Sequence, residues 1–387
     1  MTDYLRFKTD PAVREEYINA FGTIRISKIL EDLDALAGSI AYLHADDGNK
    51  DTVPPTIVTA SVDRIDMLQR IPPDQDIRMS GFVTFVGSSS LEVSITVDSL
   101  PTGAPPPGSE NVLPENIESN PILAAKFIMV ARDPVTGKAA QINGLKLETD
   151  EERRLFQSGA EAKARKQVAA STALTKLPPS VEEMVLVHDL HLQSKKFSDQ
   201  KPENVIFMDE TEISKVVICH PSERNIHGNV FGGFLMQSAY ELAFANALIF
   251  ARSAPFFICL DDISFLRPVH IGALLSMSSL VVYSPGAPSR SFQIKVKIDI
   301  IDPLQGTRDT SNEFHLTFGV AKDSASPLKA VIPQSYDEAM VFLEGRRRRK
   351  RWLVAAAHNT ATLKGQGRKN IVGEEMLGVE DDIAKRV

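Results

Sequence analysis

Between Asn225 and Gly233 the chain reads Asn-Ile-His-Gly-Asn-Val-Phe-Gly-Gly, and from Phe234 to about Phe250 it is almost wholly apolar. These residue types suit one kind of chemistry. An amide at Asn229 can hydrogen-bond a carbonyl or a water molecule. Gly232-Gly233 lets the backbone come close to another group. The first N–H groups of the helix that follows lack partners and carry the positive end of its dipole, so they can receive a developing negative charge. Such a loop needs a partner, a carboxylate that activates water or attacks directly. The candidate is Asp34; the plain alternative is that Asp34 sits on a solvated helix face and Gly232-Gly233 only permits tight packing.

Both groups must be positioned by helices. From Thr23 to Leu43, Ile29, Leu33, Leu36 and Ile40 recur at helical spacing with Leu30, Ala37 and Ala41 beside them, and Glu31, Asp32 and Asp34 lie in the first half. Residues 3–9 read as a short edge strand, and Pro11 begins a helical turn reaching towards Phe21-Gly22. After a Gly/Asp/Asn/Pro loop, β-rich stretches run over 56–68, 77–86, 91–97 and 122–132, with a continuation at 138–147. Residues 101–119 read as a long excursion rich in Pro, Gly, Asn and Glu. Glu/Lys/Arg/Ala-rich sequence predicts an exposed helix over 149–175, followed by a connector to about 202.

The order then repeats: strands over 210–220, 256–266, 273–283, 291–301 and 311–320, with the loop and apolar helix after the first. A C-terminal helix follows from Ser335, ending in the basic run, with a weakly structured tail after about Ala357. Gly228 lies 206 positions after Gly22 (228 − 22), and the same offset places Asp34 against Tyr240. The fold class is α+β, two copies of a curved antiparallel sheet wrapped around a long central helix. The copies differ where chemistry is at stake. Thr23 stands for Asn229, Ile26-Ser27 for Gly232-Gly233, and Tyr240 for Asp34. One combination of loop and carboxylate is complete; the other lacks the amide, the glycine pair and the aspartate together.

Composition sets bounds. The 387 residues suit two or three domains. At 43% hydrophobic and 24% charged, the chain has a globular composition. No eighteen-residue apolar run or signal-peptide pattern is read, so no membrane span is expected. A net charge of −7 argues against a general nucleic-acid binder. Cys219 and Cys259 read as buried reduced thiols, and no metal-binding spacing is read. The run Arg346–Arg351 reads first as a solvated helix end, next as a contact to phosphates, and last as a targeting or nucleic-acid patch.

Gly228-Asn-Val-Phe-Gly-Gly-Phe-Leu-Met236, preceded by Asn225 and His227, resembles the helix-start signature of hotdog-fold acyl-CoA thioesterases. Leu30–Gly38, Ser89–Val93 and Ile263–Pro268 resemble the mitochondrial-type double-hotdog branch. The resemblance covers about 3–345, leaving out the 101–119 loop and the tail. It implies tandem hotdog domains and hydrolysis of fatty acyl-CoA, with no cofactor beyond the CoA of the substrate. It carries a catalytic role to Asp34 and Asn229 and a backbone-donor role to Gly233. Gly232, His227 and Ser90 come next as substrate-binding positions, although a loop-packing histidine is the first reading of His227. It also implies a homo-oligomer, a trimer of double hotdogs, and a mitochondrial location, with cytoplasmic as the alternative. The expected boundaries are 1–176 for the first hotdog with its following helix, 177–205 for a connector, 206–345 for the second hotdog and 346–387 for a basic tail. A hotdog hydratase or dehydratase, which uses a His/Asp pair, is the competing enzyme, and an acyl-CoA-binding regulator is the non-enzymatic alternative.

Overall fold

The computed structural model describes residues 1–101, 120–174, 176–324, 326–365 and 370–376. The excursion at 102–119 and the end of the tail lie outside these. The chain forms two compact units. The first comprises Met1–Glu161, Glu223–Gln237 and Asp262–Leu266; the second holds the remainder.

In the first unit, strand β1 (Thr2–Leu5), helix α1 (Pro11–Tyr17) and helix α2 (Ile26–Ala45) precede β2 (Thr56–Met67), β3 (Ile77–Val86), β4 (Ser90–Ser99) and β5 (Asn120–Arg132). The strands pair antiparallel in the order β1-β3-β4-β5-β2. Helix α2 packs on the sheet, burying Ile29, Leu30, Leu33, Leu36, Ala37, Ile40 and Ala41, the set its periodicity marks. On β4, Leu91, Val93, Ile95 and Val97 are buried on alternate positions. Gly81 is required on β3, because a Cβ there would lie 2.8 Å from Ile95 and 2.9 Å from Ile40.

In the second unit, the exposed helix α3 (Asp150–Ser171), which begins in the first unit, leads to α4 (Val181–Asp199), β6 (Val205–Phe207) and β7 (Ile213–Ile218). Helix α5 (Gly232–Ala251) passes from the first unit into the second and is followed by β8 (Phe256–Phe265), β9 (Leu274–Tyr283), β10 (Ser291–Ile301), β11 (Arg308–Gly319), β12 (Ala330–Ile332) and α6 (Tyr336–Gly365). Here the order is β7-β9-β10-β11-β8, the first unit's order repeated strand for strand. Helix α5 sits on these strands through Phe250 against Phe292 and Asn246 against Ser279. By length and apolar composition α5 could cross a membrane, yet 61% of that window is buried inside the protein. It is a core helix.

The repeat offset holds in the structure. Helices α2 and α5 each have 20 residues, so Ile26 to Gly232 and Ala45 to Ala251 are both separations of 206. The chain is α+β with tandem hotdog units.

Four readings are corrected. Residues 138–147 form no strand beyond one bridge, Arg132 to Ala139. A turn built on Asp133, with Gly137 at φ 67°, comes first, and the chain then bonds to the end of α2 through Asn143 and His44. The connector contains helix α4, opened by a capping box in which Ser180 accepts from the Glu183 N–H and Glu183 accepts from the Ser180 N–H. The basic run does not end a helix, and α6 continues to Gly365 instead of giving way to a loose tail at Ala357. Three of the run's arginines have partners in the fold. Arg347 grips Glu183 bidentately at 2.6 and 2.7 Å and holds that carboxyl down to about 2. Arg348 pairs with Glu344 at 3.5 Å, and Arg349 donates to Ser289 at 2.8 Å.

Candidate active site

The glycine pair lies inside the helix, not in the loop before it: α5 begins at Gly232. Neither glycine has a positive φ, so what they supply is proximity. A Cβ on Gly232 would sit 2.9 Å from Oδ2 of Asp34 and 3.3 Å from the Phe265 ring. A Cβ on Gly233 would sit 3.0 Å from the Glu31 Cα and 2.5 Å from the Phe231 ring. The start of α5 is thus pressed against the face of α2 that carries Asp34, and all these residues belong to the first unit.

Asp34 is 1% exposed. Its Oδ1 accepts from the Thr59 hydroxyl at 2.8 Å. Burial raises its pKa to about 6, opposed by the Thr59 hydroxyl and the Gly233 N–H and reinforced by the charge of Glu31. The Gly233 N–H favours the charge without making a well-aligned bond, since Oδ2 has no hydrogen-bond partner among the described residues. The structure therefore joins a carboxylate poised near neutrality to a helix N-terminus. Asp32, two residues earlier, is also raised to about 6, chiefly by burial. Its Oδ2, however, accepts from the Tyr17 hydroxyl at 2.7 Å, which commits it to α1.

The loop before α5 is held by its own backbone and by Asn225, a residue the sequence reading used only as part of a motif. Asn225 Oδ1 accepts from the N–H of His227 at 2.9 Å and of Asn229 at 3.1 Å. Asn225 N–H donates to the Asn229 carbonyl at 2.7 Å, Gly228 N–H to Asn225 at 3.1 Å and Phe231 N–H to Glu223 at 2.8 Å. Residues 17–25 make the same five bonds 206 positions earlier. Asn19 Oδ1 accepts from Phe21 at 2.9 Å and Thr23 at 3.1 Å, and the three backbone bonds recur at 2.9, 3.0 and 2.7 Å. Gly22 and Gly228 occupy the left-handed region at φ 74° and 81°.

Asp34, Gly232 and Gly233 are thus brought together, with half-buried Asn229 four residues before Gly233 in a fixed loop. His227 is exposed, and its Nε2 lies 2.5 Å from the Tyr42 hydroxyl. Ser90 is not brought to this cluster. It pairs with Val130, whereas Leu91 pairs with Met129 and Met129 with Thr59. Met129 abuts Gly38 of α2, so by alternation Ser90 faces away from the helix. Two contributors were missed. Thr59 comes from a strand 25 residues from Asp34, with no local signal. Tyr42 lies on the helix that carries Asp34, where a half-buried tyrosine looks like packing. A cavity of about 400 Å³ in the first unit, lined by Ile40, Leu43, Gly81 and Leu155, does not include Asp34. Ile40 lies six residues on, ~9 Å along α2 and about 120° around it. Among the described residues no group of three or more His, Cys, Asp or Glu could hold a metal ion.

Fold and site together define a double-hotdog protein with a buried carboxylate set against a helix N-terminus. The chain is 37% identical over 351 residues to acyl-coenzyme A thioesterase 9, mitochondrial, of Bos taurus, covering 89% of this chain and 76% of that protein. It is 37% identical to the Homo sapiens protein of the same name, over 88% of this chain and 74% of that one. An acyl-CoA hydrolase from Staphylococcus aureus, solved with butyryl coenzyme A and coenzyme A, is 25% identical over 42% of this chain and 99% of its own, at a TM-score of 0.39. No family model matches. The chain belongs to the acyl-CoA thioesterase family, a family of thioester hydrolases.

Proposed function

We propose that this chain hydrolyses acyl-CoA to a free carboxylic acid and CoA at one site, with Asp34 as the catalytic carboxylate and the start of α5 as the receiver of negative charge. The observation that carries the reading is the placement of Asp34 Oδ2, buried, without a hydrogen-bond partner among the described residues and 2.9 Å from where a Cβ of Gly232 would stand. In the resting protein the Gly233 N–H faces this carboxylate. With substrate in place it would turn to the thioester carbonyl oxygen, and Asn229 would orient the carbonyl or the water. Two routes fit. As general base, Asp34 takes a proton from water while the water oxygen attacks the carbonyl carbon; the oxyanion collapses, and CoA leaves as a thiolate that takes up a proton. As nucleophile, Oδ2 attacks and expels the thiolate, and water then hydrolyses the mixed anhydride. A pKa near 6 leaves the carboxylate ionised at neutral pH, as both routes need.

Neither route calls for a metal or a resident cofactor. The relatives' names support a mitochondrial location, and a homo-oligomer, the trimer the resemblance implies, completes the reading. The test is a panel of acyl-CoA thioesters assayed for free thiol beside an enoyl-CoA assayed for hydration. The expected outcome is thiol release without hydration. Hydration without thiol release overturns the reaction class, and binding without either reaction overturns catalysis.

A further inference from the structure

Tyr42 contributes to this site in a way its sequence position does not announce. Its hydroxyl oxygen accepts from the Ile57 N–H at 3.0 Å. Its proton can go to the Ile57 carbonyl at 3.3 Å or to His227 Nε2 at 2.5 Å. With the imidazole proton on Nδ1 the hydroxyl donates to His227 Nε2, and with it on Nε2 the hydroxyl oxygen accepts from the ring; either way the contact joins Tyr42 to His227. The rings lie 6.3 Å apart and tilted, so the hydrogen bond, not stacking, defines the contact. His227 and Asn229 both donate their N–H to Asn225 Oδ1. Fixing the His227 ring therefore fixes the turn from which Asn229 projects.

We propose that Tyr42 is a positioning residue: through His227 it clamps the Asn225–Asn229 loop to α2, the helix that carries Asp34. The proposal rests on the reading of that loop as catalytic. A second observation supports it independently of distance. At the offset of 206, Phe21 stands where His227 does and Leu248 where Tyr42 does. Both halves of the clamp are missing from the other loop–helix combination, which also lacks the asparagine, the glycine pair and the aspartate. Phe21 is 54% exposed, so burial of that ring does not explain the exchange. A clamp needed only for folding would be kept in both loops, since their backbone bonds are the same.

The test uses the full chain with Tyr42→Phe, His227→Phe (the residue the first loop carries) and the double variant. It reads kcat and KM on an acyl-CoA thioester and amide exchange over 225–231. His227→Phe is expected to lower kcat about fivefold, the effect of one net hydrogen bond, and Tyr42→Phe at least as much because it also loses the bond from the Ile57 N–H, with KM changed less than about twofold in each. The double variant should be no worse than Tyr42→Phe, because the one contact that His227→Phe breaks is already broken there. The amides of His227 and Asn229 should exchange at least about fivefold faster in His227→Phe, while those of β2 keep their rates. Effects that multiply in the double variant, or unchanged loop exchange in His227→Phe, overturn the clamp. Asp34→Asn is run beside them. If it keeps full turnover, the catalytic reading fails while the exchange data still decide the clamp; if it is inactive and His227→Phe leaves the loop unchanged, the clamp alone fails.

Discussion

Residues 17–25 and 223–231 make the same five hydrogen bonds at distances that agree within about 0.2 Å, each enters a helix of 20 residues, and each places a glycine in the left-handed region at the same point. Their side chains have diverged in a concerted way. Thr23 faces Asn229 in the comparison, Ile26-Ser27 faces Gly232-Gly233, Phe21 faces His227, Asp34 faces Tyr240 and Tyr42 faces Leu248. The loop backbone requires only an asparagine at its first position and a residue tolerating positive φ, and both copies keep these. Among these exchanged positions, the amide, the glycine pair and the imidazole fall on the second loop and helix start, and the carboxylate falls on the first helix. Tyr240 shows what replaced it. Its ring is buried against Phe244, Phe257 and Phe318, and burial pushes its hydroxyl pKa up. One copy's helix keeps a carboxylate at a cost in solvation; the other spends the same position on packing.

That contrast can be broken. The largest effect is expected from restoring a carboxylate to the second helix. Tyr240→Asp removes a buried ring and buries an unpaired charge, a loss of about 5 kcal/mol or more, comparable to the whole stability of many domains. Urea unfolding measures it, and a variant as stable as the parent would mean that the aromatic cluster is not what excludes the acid. Next is Asn229→Thr, which gives the second loop the first loop's residue. It should fold normally, because the backbone bonds use Asn225, and lose about 10- to 100-fold in kcat through the lost amide. An unimpaired kcat would separate Asn229 from the chemistry. Smallest is the Thr59→Val effect. On the proposed mechanism Asp34 acts as its anion, so kcat/KM should fall as pH drops through about 6. The Thr59 hydroxyl favours the charged form, so removing it moves this acid limb to higher pH; a limb that stays put would remove Thr59 from the account.

The sequence made the repeat legible because its signals are local. Apolar periodicity in α2, the run in α5 and the turn glycines put both helices in register, and Asp34 and Gly233 followed. Contacts made at a distance stayed hidden. Thr59 reaches Asp34 from a strand that begins with another threonine, and only the register of β2 tells which of them faces α2. The same alternation turns Ser90 away. Helix α4 had a readable start in Ser180-Val-Glu-Glu183, but Pro178-Pro179 and the exposed Val181, Met184 and Leu192 obscured it. The basic run reads as a solvated end until Arg347 is seen to meet Glu183, 164 residues away.

On the proposed mechanism Asp34, not its neighbour Asp32 and not a group on the second helix, performs the reaction. Single-turnover thiol release from an acyl-CoA thioester by Asp34→Asn, with Asp32→Asn as the control, tests it most directly. The expected result is a rate lower by about 10²- to 10⁴-fold for Asp34→Asn, the range of general acid–base catalysis, and a rate within about tenfold of the parent for Asp32→Asn. Equal losses in the two variants, or full activity in Asp34→Asn, would contradict it.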